Sequence, residues 1–329
     1  MKLSDLAQHA GVSVATVSRV LYQNAPVSES TRNTVLQAMV DLNIKPDDFS
    51  KRGKILSAKF ILVICSHIIN HFYDQILEGL QDVLEDNGYH LIICNTRYQV
   101  GVEREFLLSL KFGRIAGIIF LSSMLSDDEL LNISKNFPVV QCVEYRENLS
   151  IPWISFDNIS ATKSILKHLM KIGKRKIVLL SCRRDLLMKR QREETYRSMM
   201  EDSPMGFNPR LIIHAEEYEI TSGLRAVKQL ILSGEQFDAI YAASDMLAMG
   251  AIYELHNNGM KIPEDVAVAG CDDLEVSSIL NPPLTTIYIP KYDLGVNAAK
   301  ILLKQLEDKE AVIQPILLEH NLRIRESTI

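Results

Sequence analysis

The chain has 329 residues, 47% of them hydrophobic, with a formal net charge of −5 and five cysteines. That length calls for two or three domains, and the composition is that of an ordinary globular protein rather than a disordered or fibrous one. No apolar run approaches the roughly 18 residues of a membrane span and the N-terminus lacks the charged-then-apolar pattern of an export signal, so a cytoplasmic location without a membrane partner is expected.

Leu3 to Leu21 reads as two short helices joined by a tight turn at Gly11. Ala7 and Ala10 let the helices cross closely, Val12 and Val17 fill the space between them, and Ser4 and Ser13 stand where helix N-caps are wanted. The second helix opens with Val14, Ala15, Thr16, Ser18 and Arg19, short side chains and one guanidinium suited to the major groove. Ser28 caps a third helix in which Val35, Ala38, Met39 and Leu42 recur at helical spacing, with Thr31 in its first turn. Residues 1–45 are therefore expected to be an all-α, helix-turn-helix DNA-binding head. Residues 1–60 hold eight Lys/Arg against five Asp/Glu, a net +3, so the remainder carries −8. A basic head on an acidic body concentrates phosphate attraction in one place. Residues 46–59, polar and basic with Pro46 and Gly53, read as a linker.

From Phe60 the pattern alternates between strand and helix. Strands are expected at 60–65, 91–95, 117–121 and 139–143, with helices at 72–87, 103–111 and 127–136. A second series follows, with strands at 176–181, 211–214, 239–243 and 266–269 and helices at 189–201, 222–233 and 246–258. Each series resembles an open parallel sheet covered by helices. Residues 60–329 are thus expected to be an α/β core of the periplasmic-binding-protein type, two doubly wound parallel-sheet subdomains joined near Asn158 and Pro290. The N-subdomain would hold about 60–157 and 291–318, the C-subdomain about 158–290 and 319–329.

Ligands of open α/β sheets bind at the carboxyl ends of strands, and two facing sheets make a cleft. The rule singles out residues 66–73, 122–123 and 144–145 in the first half and 183–192, 244–245 and 271–273 in the second. Phe72, Tyr73 and Tyr145 bring aromatic faces; Ser122, Glu144, Arg192, Ser244 and Asp272 bring polar groups. The mixture suits a neutral or zwitterionic polyhydroxylated molecule. Simpler readings stand beside it. Asp245 and the pair Asp272-Asp273 could cap helices, Phe72 could be a hydrophobic staple, and Arg192 could pair with Glu193 or Glu194 at the surface. No nucleophile elbow, phosphate loop or zinc-protease motif is present, so no enzyme, cofactor or metal is expected. Cys65, Cys94, Cys142, Cys182 and Cys271 lie in apolar runs without metal-ligand spacing and read as reduced core thiols.

The motifs Ala10-Gly11-Val12-Ser13, Thr16-Val17-Ser18-Arg19-Val20-Leu21, Phe156-Asp157-Asn158, Gly270-Cys271-Asp272-Asp273 and Pro282-Pro283-Leu284-Thr285-Thr286 resemble those of the LacI/GalR family of bacterial repressors. Within it Val14-Ala15, Ser244-Asp245 and Pro290-Lys291-Tyr292-Asp293 look most like the cytidine-repressor branch. The resemblance implies a ligand-controlled transcriptional repressor that binds palindromic operator DNA as a homodimer. It implies that Arg192 grips ligand hydroxyls and that Asp272 accepts hydrogen bonds from a sugar. A nucleoside such as cytidine is the expected effector; a sugar, a purine, or a core answering only to a protein partner are the alternatives. Another transcription factor on the same promoter is a further candidate partner. In the head, Arg19 would reach guanine and Val14 and Ala15 a thymine methyl, while Ser4, Ser13, Thr16, Ser18, Ser28 and Thr31 would complete the DNA surface. Residues 72–87 and 236–258 are candidate dimer faces. The chain departs from the family pattern at the hinge, where Gly53 replaces the apolar wedge and Asp47 and Asp48 would face phosphates; in the core, Thr195 and His71 depart likewise.

Overall fold

The structure is a computed structural model describing residues 3–22, 27–42, 59–67, 71–108, 115–183, 186–204, 206–308 and 311–329. It divides into two compact units, Met1–Lys59 and Phe60–Ile329. Helices α1 (Leu3–His9), α2 (Val14–Tyr22) and α3 (Glu29–Asp41) form the first. Gly11, at φ 65°, makes the turn between α1 and α2. The Ser13 hydroxyl accepts the Thr16 amide at 3.0 Å, and that of Ser28 accepts the Thr31 amide at 3.3 Å, so both cap as their positions demand. Ser4 does not: α1 begins at Leu3, and the Ser4 hydroxyl donates to the Asp5 carboxylate at 3.1 Å. Leu6, Ala7, Ala10, Val17, Val20, Val35, Ala38 and Met39 make a small closed core, with Val12 packed at its edge. The hinge expected at 46–59, with Asp47, Asp48 and Gly53, lies outside the described residues except for Lys59.

The second unit contains two parallel sheets. The strands β1 (Lys59–Cys65), β2 (Tyr89–Asn95), β3 (Ile115–Phe120), β4 (Val139–Cys142) and β5 (Trp153–Phe156) are joined by β11 (Ile316–Leu318), in the order β11-β5-β4-β3-β1-β2. The strands β6 (Ile177–Cys182), β7 (Ile212–Ala215), β8 (Ala239–Ala242) and β9 (Ala267–Ala269) are ordered β7-β6-β8-β9. A short antiparallel pair, β10 (Thr286–Tyr288) with β12 (Asn321–Arg323), completes the set. Central strands such as β1, β6 and β8 are buried along almost their whole length, as the all-apolar runs require.

Helices α4 (Asp74–Asp86), α5 (Val100–Leu108), α6 (Asp127–Ser134) and α11 (Lys291–Glu307) accompany the larger sheet. With the smaller go α7 (Asn158–Lys171), α8 (Leu187–Glu201), α9 (Ile220–Leu232) and α10 (Asp245–Asn257). The periodicity reading did not include β5, α7 or α11. Each half has one close helix crossing, and in each a glycine lets the backbones meet. A Cβ on Gly295 of α11 would run into the Ile76 carbonyl of α4, and one on Gly250 of α10 into the Ile220 carbonyl of α9. Among the described residues no helix is long and apolar enough to cross a membrane.

Candidate functional sites

The carboxyl ends of the strands converge on a cleft of ≈ 480 Å³ within the second unit. The larger-sheet half supplies Phe72, Tyr73, Tyr98, Val143, Glu144 and Phe156. The other half supplies Leu186, Met188, Arg192, Tyr218, Ala243, Ser244 and Asp272. Six of the seven sequence candidates are thus brought together from both halves. The seventh, Ser122, does not line the cleft: its hydroxyl pairs with that of Ser66 and bonds the Tyr73 phenol, one layer behind the wall. Tyr145 does not line the cleft either: it stacks on Trp153, ring centroids 3.9 Å apart, and its phenol bonds the Gln191 side chain.

Arg192 is only 5% exposed. Its Nε donates to Asn158 Oδ1 at 2.8 Å, Nη1 to the Ala243 carbonyl at 2.9 Å and Nη2 to Cys271 Sγ at 3.5 Å. The surface ion pair is excluded; Glu193 pairs instead with Lys189 and His214. The fixed fork holds the guanidinium edge at the cleft. Beside it the Asp272 carboxyl is buried, and burial, reinforced by Asp245, pushes it up to about 8 against the pull of Lys291 and Arg192. Lys291 Nζ donates to the Asp272 carbonyl.

Two capping assignments change. Ser244, not Asp245, is the N-cap of α10, accepting the Leu247 amide at 3.2 Å. Asp245 lies in the first turn and accepts from the Leu274 amide and the Ser277 and Thr286 hydroxyls, tying the 272–286 loop to the helix. Asp273 pairs with Arg325 at 2.6 Å rather than capping a helix.

Glu144 reaches across the cleft. Its carboxylate accepts the Leu187 amide at 2.8 Å and the Met188 amide at 3.4 Å, at the start of α8. The N-cap residue there, Leu186, has no side chain able to do this. Burial pushes the Glu144 carboxyl up to about 7, opposed by those two amides and by Arg192.

Backbone strain collects at the same place. Among the described residues the non-glycine positions with positive φ are Arg97, Tyr98, Val143, Asp272 and Asp273, each lining the cleft or adjoining a residue that does. For the β-branched Val143, at φ 76°, this is an outlier of the kind that clusters at ligand sites.

Tyr98 and Tyr218 were missed as site residues. They follow β2 and β7, and the strand-end rule applied to those two strands as well would have found them. Leu186 and Met188 carried no signal beyond their place in the segment after β6. The described residues contain no group of three His, Cys, Asp or Glu able to hold a metal, and the five cysteines are free and buried.

In the first unit, α2 buries Val17 and Val20 and leaves Val14 46% exposed, with Ala15 and Arg19 also exposed and Ser18 partly so. The hydroxyls of Ser13 and Thr16 lie 2.8 Å apart and those of Ser28 and Thr31 2.7 Å apart, so two capped N-termini present their hydroxyls at the surface.

Residues 2–47 match the model of bacterial regulatory proteins of the lacI family, and residues 166–328 that of the periplasmic binding protein-like domain. The chain is 33% identical to the HTH-type transcriptional regulator RegA of Clostridium saccharobutylicum over 99% of each chain. It is 28% identical to the HTH-type transcriptional repressor CytR of Escherichia coli K12, covering 99% of this chain and 96% of that one. The lac repressor dimer bound to operator and the anti-inducer ONPF superposes with a TM-score of 0.75 at 27% identity, covering 100% of this chain and 99% of that one. These relatives are regulators rather than enzymes. The chain belongs to the LacI family of bacterial regulatory proteins: it is a transcriptional repressor with an operator-binding head and an effector-binding core.

Proposed function

We propose that the effector is a nucleoside, of which cytidine is the leading example, and that it closes the cleft between the two halves of the core. The carrying observation is the composition of the lining. Five aromatic rings (Phe72, Tyr73, Tyr98, Phe156 and Tyr218) offer faces to a planar base, while Arg192, Ser244 and Asp272 offer donors and acceptors to sugar hydroxyls. Arg192 is the single cation among the described lining residues and is already held by Asn158, Ala243 and Cys271. One fixed guanidinium would have to balance the double charge of a buried phosphate, which favours the nucleoside over its nucleotide.

Two heads on a homodimer read a palindrome. In each, Arg19 contacts guanine and Val14 and Ala15 lie against base edges, while Ser4, Ser13, Thr16, Ser18, Ser28 and Thr31 complete the surface toward the phosphates. The dimer face draws on exposed apolar residues, with Ile92 and Ile93 on the edge strand β2 and Tyr253 on α10. A ligand can shift the repressor only by binding one cleft geometry better than the other, and Glu144, bridging both halves, is placed to report that geometry.

The test is thermal unfolding of the full-length protein against nucleosides, nucleotides, purines and sugars. A true effector at about 100 times its Kd adds about 2.7 kcal/mol of stability. A melting shift with cytidine or a related nucleoside, and none with its monophosphate, is expected. A shift with ribose or a purine alone would replace the nucleoside by that class. Silence across the panel would favour a core that answers to a protein partner.

A further inference from the structure

A second groove, of ≈ 1210 Å³, lies between α7 and α8 and shares no lining residue with the effector cleft. Its rim holds Lys163, Lys167, Lys174 and Arg175 against a single carboxylate, Asp202. Its remaining wall includes Met170, Met199 and Met200. Lys163 and Lys167 are exposed, stand one turn apart on α7, and make no ion pair among the described residues. Like charges at that spacing repel. Lys174 and Arg175 are held in place: Lys174 Nζ donates to the Pro263 carbonyl at 3.0 Å, and the Arg175 guanidinium to the Met170 carbonyl at 2.8 Å and the Lys174 carbonyl at 2.9 Å.

We propose that this groove docks an acidic segment of another protein bearing at least one apolar side chain. The charge is complementary to such a segment, and it is local: outside residues 1–60 the chain carries more acidic than basic side chains. The methionines decide between occupants. A thioether wall adapts to an inserted aliphatic side chain, whereas a phosphate backbone would leave it unfilled. Basic rim and apolar wall together match the two faces of an acidic amphipathic helix.

The experiment is fluorescence anisotropy of the full-length protein with a labelled glutamate-rich peptide containing interspersed leucines. A leucine-free polyglutamate of equal length, inorganic tripolyphosphate and duplex DNA serve as competitors. The leucine-bearing peptide is expected to bind roughly tenfold more tightly than polyglutamate, and salt should weaken it. Lys163→Glu/Lys167→Glu should weaken it at least about tenfold with an unchanged Tm, because both side chains are exposed; Lys163→Gln/Lys167→Gln serves if that variant misfolds. Absence of binding, equal binding of the two peptides, or binding indifferent to both lysine variants overturns the proposal. Displacement by tripolyphosphate or DNA at matched charge does so too, by making the groove a phosphate site. Self-association that depends on these lysines would replace the partner by a second copy of the chain.

Discussion

The two walls of the effector cleft are built on different principles. On the α8 side the polar groups are fastened to the protein before any ligand arrives: Arg192 to Asn158, Ala243 and Cys271, and Ser244 as the cap of α10. On the α4 side the wall is largely aromatic, and the Glu144 carboxylate finds its amide partners on the opposite half. A pre-fastened polar wall sets which hydroxyls are recognised, because its donors lose little freedom on binding. The aromatic wall, with one carboxylate reaching over, is where closure can be read, because that bond exists only when the halves are near each other. In the function proposed above, recognition and reporting are therefore divided between the walls.

The largest expected effect falls on the fastened wall. Arg192→Ala removes three hydrogen bonds and strands the buried Asn158 oxygen and Ala243 carbonyl, so urea unfolding should show a loss of about 3 kcal/mol. A loss within experimental error of zero would mean that this wall is not prefabricated. Next comes Asp272→Ala, which should weaken effector binding roughly thirtyfold, about 2 kcal/mol, and abolish the effector response while leaving operator affinity near wild type. Calorimetry and an operator titration separate the two, and a variant that still responds removes Asp272 from the site.

Glu144 should show itself in pH dependence. Its folded-state pKa is raised from 4.5 to about 7, so the folded state holds a proton that the unfolded chain has released. Its contribution is therefore most favourable below about pH 4.5 and declines as pH rises to about 7, by up to about 1.4 kcal/mol per pH unit. Glu144→Gln should flatten that part of the stability profile, and an unchanged profile would deny the buried bridging carboxyl. The smallest effect belongs to Ser244→Ala: losing the α10 cap should lower stability by about 1 kcal/mol, measurable as a shift in the urea midpoint. If effector affinity falls much further than stability, Ser244 also touches ligand.

How far these walls could be read without the fold follows from distance along the chain. Glu144 was found because it directly follows a strand, and Arg192 chiefly through the family resemblance, since it lies ten residues past β6 inside α8; what Glu144 does there was not found. Its partners are amides of Leu187 and Met188, and no pattern near residue 144 specifies them. Tyr98 and Tyr218 follow β2 and β7, so the strand-end rule reaches them only when it is extended to those two strands. An aromatic residue in a polar loop has no periodicity, and only convergence of the strand ends turns it inward. The caps were readable in part: Ser13 and Ser28 took the expected bonds, Ser4 and Asp273 capped nothing, and the N-cap of α10 moved from Asp245 to Ser244 while Asp245 became a loop anchor. Ser244 and Asp245 both suit a cap; buried partners at Ser277 and Thr286 decided between them.

The sequence by itself determined the head, the alternation of strands and helices in the core, and the family. The first two depend on interactions between residues a few positions apart: a hydroxyl bonding the amide three residues on, apolar residues returning every third or fourth place, a glycine where φ turns positive. The family rests on the resemblance of its motifs. Tertiary structure alone decided that Ser122 stands behind the wall, that Asp273 serves Arg325, that Glu144 bridges the two halves, and that four cations and a row of methionines share a groove. Such pairings join segments tens of residues apart, so packing and the loss of water on burial fix them rather than local backbone preference.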